Sequence, residues 1–127
     1  MYDKELTLEI LRQIYGATQK IINRFDPIRS PEDFTSSDWG MEKLDAICMQ
    51  LIAIGESLKY LDKTTNNSLL PHYPQIEWKK VKGMRDIISH HYFDLNAEAI
   101  FEVCTRHMPV LEKTITQIIQ DISRFDI

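Results

Sequence analysis

The chain has 127 residues and a formal net charge of −4, with 43% apolar and 27% charged residues. This length suits one domain with a hydrophobic core, and the composition excludes a wholly disordered chain. No apolar run approaches the roughly 18–20 residues of a membrane-spanning helix, and the N-terminal MYDKELTLEI has no apolar signal-peptide core. We therefore expect a single cytoplasmic domain over residues 1–127.

The first predicted helix is amphipathic. Its apolar positions recur every three or four residues: Leu6, Ile10, Ile14, Ala17 and Ile21. It ends near Phe25, because Pro27 disfavours a helical conformation in the residue before it. The following segment, DPIRSPEDFTSSDWG, predicts a loop with one helical turn at 31–34, capped by Ser30.

The second predicted helix has the most regular apolar seam in the chain. It is capped by Ser37 or Asp38. Its seam repeats at spacings of three and four: Leu44, Ile47, Leu51, Ile54, Leu58 and Leu61. Gly55 lies in the middle of this helix, where glycine costs about 1 kcal/mol against alanine, and a close approach of another helix is the simplest reason for it. The neighbouring Glu56 is either a half-buried hydrogen-bonding residue or an exposed one.

Two further helices complete a predicted all-α bundle of four to five helices. The third starts near Ile76, after the stretch DKTTNNSLLPHYP breaks the periodic pattern. The fourth begins around Asn96, and Pro109 inside it should kink or split it. Its predicted apolar face comprises Ile100, Cys104, His107, Leu111, Ile115, Ile118, Ile122 and Phe125. We expect His107, on this face, to be a core or interface histidine.

Residue spacing excludes several kinds of chemical site. No glutamate has a histidine three residues further on, as di-iron bundles require, and the four histidines form no zinc-ligand set. The four glycines are isolated, so there is no glycine-rich phosphate loop. Cys48 and Cys104 lie in apolar helical patterns and are expected to be buried free thiols. We therefore expect neither a metal nor a cofactor.

Positive charge is concentrated in the third helix. Four cations lie within seven residues, with no acid among them: Lys79, Lys80, Lys82 and Arg85. They supply +4, so the rest of the chain carries −8. A basic patch of this kind can contact phosphates even on an acidic protein. The alternative is a solvated lysine face with no ligand.

The polar stretch GMRDIISHHYFDL, residues 83–95, is the strongest candidate for chemistry. An arginine and a histidine suffice in principle for metal-free RNA cleavage, in which one group deprotonates a ribose 2′-OH and the other neutralises transition-state charge. Arg85 and His90 point about 140° apart on a regular helix, so the helix loosens around residues 89–91, the arginine wraps round, or a second subunit completes the site. Asp86 lies four residues before His90 and can orient the imidazole.

Three segments have the residue pattern of one known family. Residues 85–92 match R-x4-H-x-Y, AIGESL at 53–58 is similar to a G-E element, and EWKKVKGMRDIISHHYFDLN at 77–96 is similar to the block that surrounds the motif. Together with the proline in the last helix, they resemble the HepT-like toxins of the HEPN superfamily. The resemblance covers roughly residues 4–122.

This resemblance implies an all-α HEPN-like bundle that forms a homodimer and acts as a metal-independent RNA endonuclease. Arg85 and His90 would be catalytic, with Asp86 as the supporting polar residue. The protein would be the toxin of a toxin–antitoxin module. Its partner would be an MNT-type nucleotidyltransferase antitoxin that transfers AMP from ATP to Tyr92 and so blocks RNA.

A second function remains open. The same fold and dimer would serve a non-catalytic HEPN adaptor, or the substrate-binding subunit of a nucleotidyltransferase complex. The two functions differ in whether His90 performs chemistry. In both, a dimer would cover an apolar face that a small bundle leaves open, and the aromatic residues Trp39, Tyr73 and Trp78 are candidates for that interface.

Overall fold

The fold is all-α. The structure, a computed structural model, describes residues 2–90 and 96–124 apart from the side chain of His90, and it has no strand in these ranges. Its α-helices are α1 (Lys4–Phe25), α2 (Glu32–Thr35), α3 (Asp38–Thr64), α4 (Trp78–His90), α5 (Ala97–Glu102) and α6 (Met108–Arg124). A 3₁₀ helix at Leu70–His72 precedes α4, and a π-helical turn at Val103–His107 joins α5 to α6. The predicted all-α bundle is confirmed.

Helix α3 forms the centre of the bundle. Helices α1 and α4 pack against it, α2 packs near its start, and α6 packs against α1. All six residues of the predicted α3 seam are buried. Burying one leucine or isoleucine side chain stabilises a fold by about 1.5–3 kcal/mol, so this seam is a major source of stability. Among the described elements α4 packs chiefly against α3, which places it at the edge of the bundle.

Side-chain caps fix where the first and third helices begin. The Asp3 carboxylate accepts a hydrogen bond from the Leu6 N–H at 3.1 Å. The Ser37 hydroxyl accepts one from the Gly40 N–H at 3.0 Å. Each bond satisfies an N–H group that the helix itself leaves without a partner. Of the two predicted caps for α3, Ser37 is therefore the one used.

Helix α2 is the single turn expected before α3, and Asp33 organises it. The Asp33 carboxylate accepts hydrogen bonds from the N–H groups of Arg29 at 2.7 Å and Ser30 at 3.2 Å. The Ser30 side chain makes no cap, contrary to the prediction. The turn lies directly against Gly40, where an added Cβ would be 1.9 Å from the Asp33 carbonyl oxygen. Only glycine permits this contact between α2 and α3.

The predicted interruption near Pro109 is present as the π-helical turn. The Met108 N–H bonds to the carbonyl of Val103, five residues earlier, and Pro109 follows with no N–H to donate. The wider turn accommodates one extra residue and shifts the helical register. Met108 is therefore buried and His107 is exposed. The prediction that His107 lies on the apolar face is wrong, because it assumed an unbroken 3.6-residue period.

Two of the three aromatic residues predicted for a dimer interface are used within the subunit. Trp78 is buried, and its indole N–H donates to the Tyr73 carbonyl at 2.9 Å. The Tyr73 hydroxyl donates to Asp121 on α6 at 2.6 Å. Burial, followed by this hydrogen bond, raises the pKa of Tyr73. Trp39 is 49% exposed and Tyr73 is partly exposed, so these two stay candidates for contact with a second subunit and the buried Trp78 does not.

Candidate active site

Helix α4 approaches α3 closely at Gly55. A Cβ added at this glycine would lie 3.3 Å from the carbonyl oxygens of Val81 and Lys82, and 3.7 Å from the Arg85 Cβ. Two of these three neighbours are backbone atoms, so a larger residue would push the helices apart. The close approach predicted from Gly55 is confirmed. Its consequence is that Glu56, the next residue of α3, lies beside Arg85.

The Arg85 guanidinium contacts two carboxylates. Its Nε lies 3.1 Å from Glu56 Oε1 on α3, and its Nη1 lies 3.3 Å from Asp86 Oδ1. The side chains of Arg85, Glu56 and Asp86 are 44%, 47% and 57% exposed. Exposed ion pairs contribute about 0–1 kcal/mol to stability, so these contacts orient the guanidinium without fixing it. A phosphate can therefore exchange with a carboxylate and bind the arginine by two parallel hydrogen bonds.

The two sequence-based alternatives for Glu56 are now distinguished. Glu56 is a half-exposed residue that makes ion pairs: besides Arg85, it lies 4.0 Å from the Lys59 ammonium on its own helix. One carboxylate thus faces two cations. Its position follows from Gly55, because the glycine brings the two helices together one residue before it.

The basic run of α4 is less positive than the sequence predicts. Lys82 pairs with Asp62 of α3, and both side chains are mostly buried. Lys80 pairs with Glu77 at 3.0 Å. Lys79 has no ion pair among the described residues. The neutralising carboxylates stand on α3 or just before α4, so much of this patch is locally balanced.

The structure describes two of the four predicted site residues in full. Arg85 and Asp86 are adjacent and in contact, whereas the side chain of His90 and all of Tyr92 lie outside the described residues. Helix α4 remains α-helical to its end at His90. The loosening predicted around residues 89–91 is absent as far as His90, and His91 lies outside the described residues. The reach of the arginine and a second subunit are the two other routes by which Arg85 and His90 could meet.

Two other features are absent from the described residues. Within residues 2–90 and 96–124, no group of three or more His, Cys, Asp or Glu side chains could hold a metal ion. None of the described helices is long and apolar enough to cross a membrane.

Cys48 and Cys104 are buried free thiols, as predicted. Burial raises the pKa of each thiol from 9.0 to about 12, and the charge of Asp45 adds to the effect at Cys48. The reactive form of cysteine is the thiolate. Both residues are therefore protonated near neutral pH and are not nucleophiles.

Sequence reasoning missed two ion pairs around the site. Arg85–Glu56 and Lys82–Asp62 both join α4 to α3, and their partners are 29 and 20 residues apart in the chain. Local spacing carries no information on such pairs. The one available signal was Gly55, which marks where the two helices touch and therefore which residues of α3 face α4.

Comparison with known proteins identifies the family of this chain. A family model described as Ribonuclease HepT-like matches residues 8–118. The protein named "Putative RNase MJ0127", from Methanocaldococcus jannaschii, is 34% identical over 106 residues, which cover 82% of this chain and 84% of that protein. "Putative RNase TTE0752", from Caldanaerobacter subterraneus subsp. tengcongensis, is 35% identical over 75 residues, or 59% of this chain and 63% of that protein. No solved structure matches significantly. The chain therefore belongs to the HepT-like ribonuclease family.

Proposed function

We propose that this protein is a metal-independent RNA endonuclease in which Arg85 and His90 are catalytic. The observation that carries the proposal is the exposed Arg85 guanidinium at the edge of the bundle, in a chain that belongs to a ribonuclease family. The two similar proteins described above are themselves named as RNases. Arg85 is oriented by exposed carboxylates that a phosphate can displace, which suits a group that must bind and release an anionic substrate.

The proposed reaction needs only groups that this chain carries. His90 takes the proton of a ribose 2′-OH, and the 2′-oxygen attacks the adjacent phosphorus. The bond from phosphorus to the 5′-oxygen breaks, that oxygen takes a proton from water, and a 2′,3′-cyclic phosphate remains while His90 releases its proton to the solvent. Arg85 neutralises the charge that develops on the phosphate oxygens. Asp86 is the supporting residue, because its position four residues before His90 suits a hydrogen bond to the imidazole.

A homodimer is part of the proposal. Arg85 and His90 point about 140° apart on a regular helix, so one subunit presents them to a single phosphate poorly. Helix α4 packs chiefly against α3 among the described elements, and Ile87 on α4 is 54% exposed. A second copy that covers this side of α4 would bring its own arginine and histidine to the same cleft. Ile87→Asp should then give a monomer by light scattering and abolish RNA cleavage.

The proposal extends to regulation by a partner. The protein would be the toxin of a two-gene module, and an MNT-type nucleotidyltransferase antitoxin would transfer AMP to Tyr92. The added phosphate would carry negative charge toward Arg85 and compete with RNA for it. Intact mass after co-expression with an MNT-type nucleotidyltransferase should show added AMP, and Tyr92→Phe should show none. AMP mapped to another residue would contradict this switch.

RNA cleavage by the purified protein in the presence of EDTA tests the activity. Arg85→Ala and His90→Ala should each lower the cleavage rate by about 100-fold or more, which is the contribution expected of a catalytic proton-transfer or oxyanion group. Arg12→Ala and His72→Ala are matched controls, because both side chains are exposed and belong to other elements. Circular dichroism verifies that each variant is folded.

Two outcomes of this experiment would contradict the proposal. If His90→Ala retains wild-type cleavage, His90 is not catalytic. If the unmodified wild-type dimer cleaves no RNA, the protein is better described as a non-catalytic adaptor of a nucleotidyltransferase.

A further inference from the structure

An open groove adjoins Arg85 between the second half of α3 and the first turns of α4. It has a volume of about 410 Å³ and is lined by Lys59, Asp62, Lys79, Lys82, Gly83 and Asp86. We call it the lysine groove. It meets the arginine at two points, because Asp86 contacts Arg85 directly and Lys59 faces Glu56, which also binds Arg85. A ligand that reaches Arg85 can therefore continue into this groove.

The charged side chains that line the groove carry a net charge of +1. Lys82 and Asp62 neutralise each other in a mostly buried pair, so they form part of its wall rather than a free charge. Asp86 is in contact with Arg85. Lys59 lies 4.0 Å from a carboxylate that Arg85 also binds, and Lys79 has no ion pair within the described part of the chain. The two exposed ammonium groups that face a ligand are therefore those of Lys59 and Lys79.

Gly83 provides a second and independent observation. It lies inside α4, where glycine lowers helix stability relative to alanine. A Cβ added there would meet nothing within 4 Å, unlike one at Gly55. Packing within the described subunit therefore does not explain this glycine. Its bare backbone faces the lysine groove. Because glycine has no side chain, it allows a ligand to approach the helix closely.

We propose that the lysine groove binds the phosphates of the RNA strand next to the one that is cleaved. This inference rests on the proposed function, because it adds a binding site for the flanking nucleotides of the same substrate. Lys59 and Lys79 contact phosphates, and Gly83 lets the strand lie close to α4. Lys79 and Arg85 are six residues apart, about 9 Å along a helix axis and about 120° around it, so they would contact different phosphates of one short single-stranded segment.

The salt dependence of RNA binding tests the groove separately from catalysis. The experiment uses the His90→Ala protein and a fluorescein-labelled oligouridylate, with anisotropy measured over a range of NaCl concentrations. Lys59→Gln with Lys79→Gln should weaken binding and reduce the slope of log K against log salt by about 1.4, since each phosphate contact to a single strand contributes about 0.7. Lys20→Gln with Lys113→Gln changes the net charge equally on α1 and α6, and should leave the slope unchanged.

Gly83→Ala separates binding from folding. The alanine should raise the denaturation midpoint, because it improves helix propensity and meets no protein atom. It should nevertheless weaken RNA binding severalfold, while light scattering gives the same dimer as for wild type. Gly16→Ala is the matched control, since its Cβ also meets nothing and it lies on α1; it should be equally stabilised and bind RNA as before.

The outcomes distinguish the groove from the proposed activity. Equal salt slopes for the two double-lysine variants, or unchanged binding by Gly83→Ala, would overturn the lysine groove even if wild type cleaves RNA. If binding depends on Lys59 and Lys79 but the wild-type protein cleaves no RNA, the groove is supported and the nuclease is overturned. If the His90→Ala protein with an intact groove does not bind the oligouridylate, the groove is overturned.

Discussion

Substitution of Gly55 tests the contact between α3 and α4 on which the site depends. In a helix interior, alanine is favoured over glycine by about 1 kcal/mol. At Gly55, however, the added Cβ would lie 3.3 Å from two backbone carbonyl oxygens, so the helices must separate by a few tenths of an ångström. We expect the two effects to offset each other. Gly55→Ala should then leave the free energy of unfolding within about 0.5 kcal/mol of wild type.

Two further variants provide references for the change in the free energy of unfolding expected of Gly55→Ala. Gly16→Ala is the control, because its Cβ meets nothing within 4 Å; it should raise the free energy of unfolding by the full value of about 1 kcal/mol. Gly55→Val adds two more carbons at the crowded contact and should lower the free energy of unfolding by about 1–3 kcal/mol. It should also weaken RNA cleavage, because it moves Glu56 away from Arg85.

Urea denaturation followed by far-ultraviolet circular dichroism measures all three variants. In a domain of this size 1 kcal/mol moves the melting temperature by about 3–6 °C, so thermal melts give a second reading. If Gly55→Ala and Gly16→Ala are equally stabilised, α3 and α4 do not touch at Gly55. Glu56 would then not be held beside Arg85 by this contact.

Two other predictions follow from the same contacts. Glu56→Gln removes a carboxylate that competes with phosphate for Arg85, so RNA should bind more tightly by a few-fold while the cleavage rate at saturating RNA falls. Glu42→Gln, exposed on the same helix, should change neither quantity. If Glu56→Gln slows cleavage only at low RNA concentration, Glu56 does not position Arg85. Cys48 and Cys104 should react with Ellman's reagent at pH 8 only after urea unfolds the protein. Because folding raises the pKa of these thiols from 9.0 to about 12, the unfolded chain releases protons first, and the free energy of unfolding should fall between pH 9 and 12. Replacing both by alanine should reduce that fall.

Apolar spacing was sufficient to predict most of the fold. The α3 seam is buried at every predicted position, and α1 ends at Phe25 as expected. Asn96 caps the helix expected to begin there, since its side chain accepts hydrogen bonds from the Glu98 and Ala99 N–H groups. These features depend on residues within a few turns of each other, and short-range patterns report them well.

Features that depend on a break in the period or on contacts between helices were not predictable. His107 was placed on the wrong face because nothing in the spacing reveals the extra residue of a π turn before Pro109. The sequence shows no acid within the basic run of α4, but Asp62 of α3 neutralises Lys82. The role of Glu56 was open until the structure placed it at 3.1 Å from Arg85. Residue chemistry singled out Arg85, Asp86 and His90 as candidates, whereas their assignment to a catalytic site and the role of Tyr92 came from the resemblance.

Cleavage of one RNA oligonucleotide in two chemical forms tests the central claim most directly. The claim is that the ribose 2′-OH attacks its own phosphodiester, with Arg85 and His90 as the only catalytic groups. In EDTA, the wild-type protein should cut the unmodified strand and leave 2′,3′-cyclic phosphate ends. It should bind the fully 2′-O-methylated strand and leave it intact. Equal cutting of both strands, or 5′-phosphate ends, would contradict the mechanism.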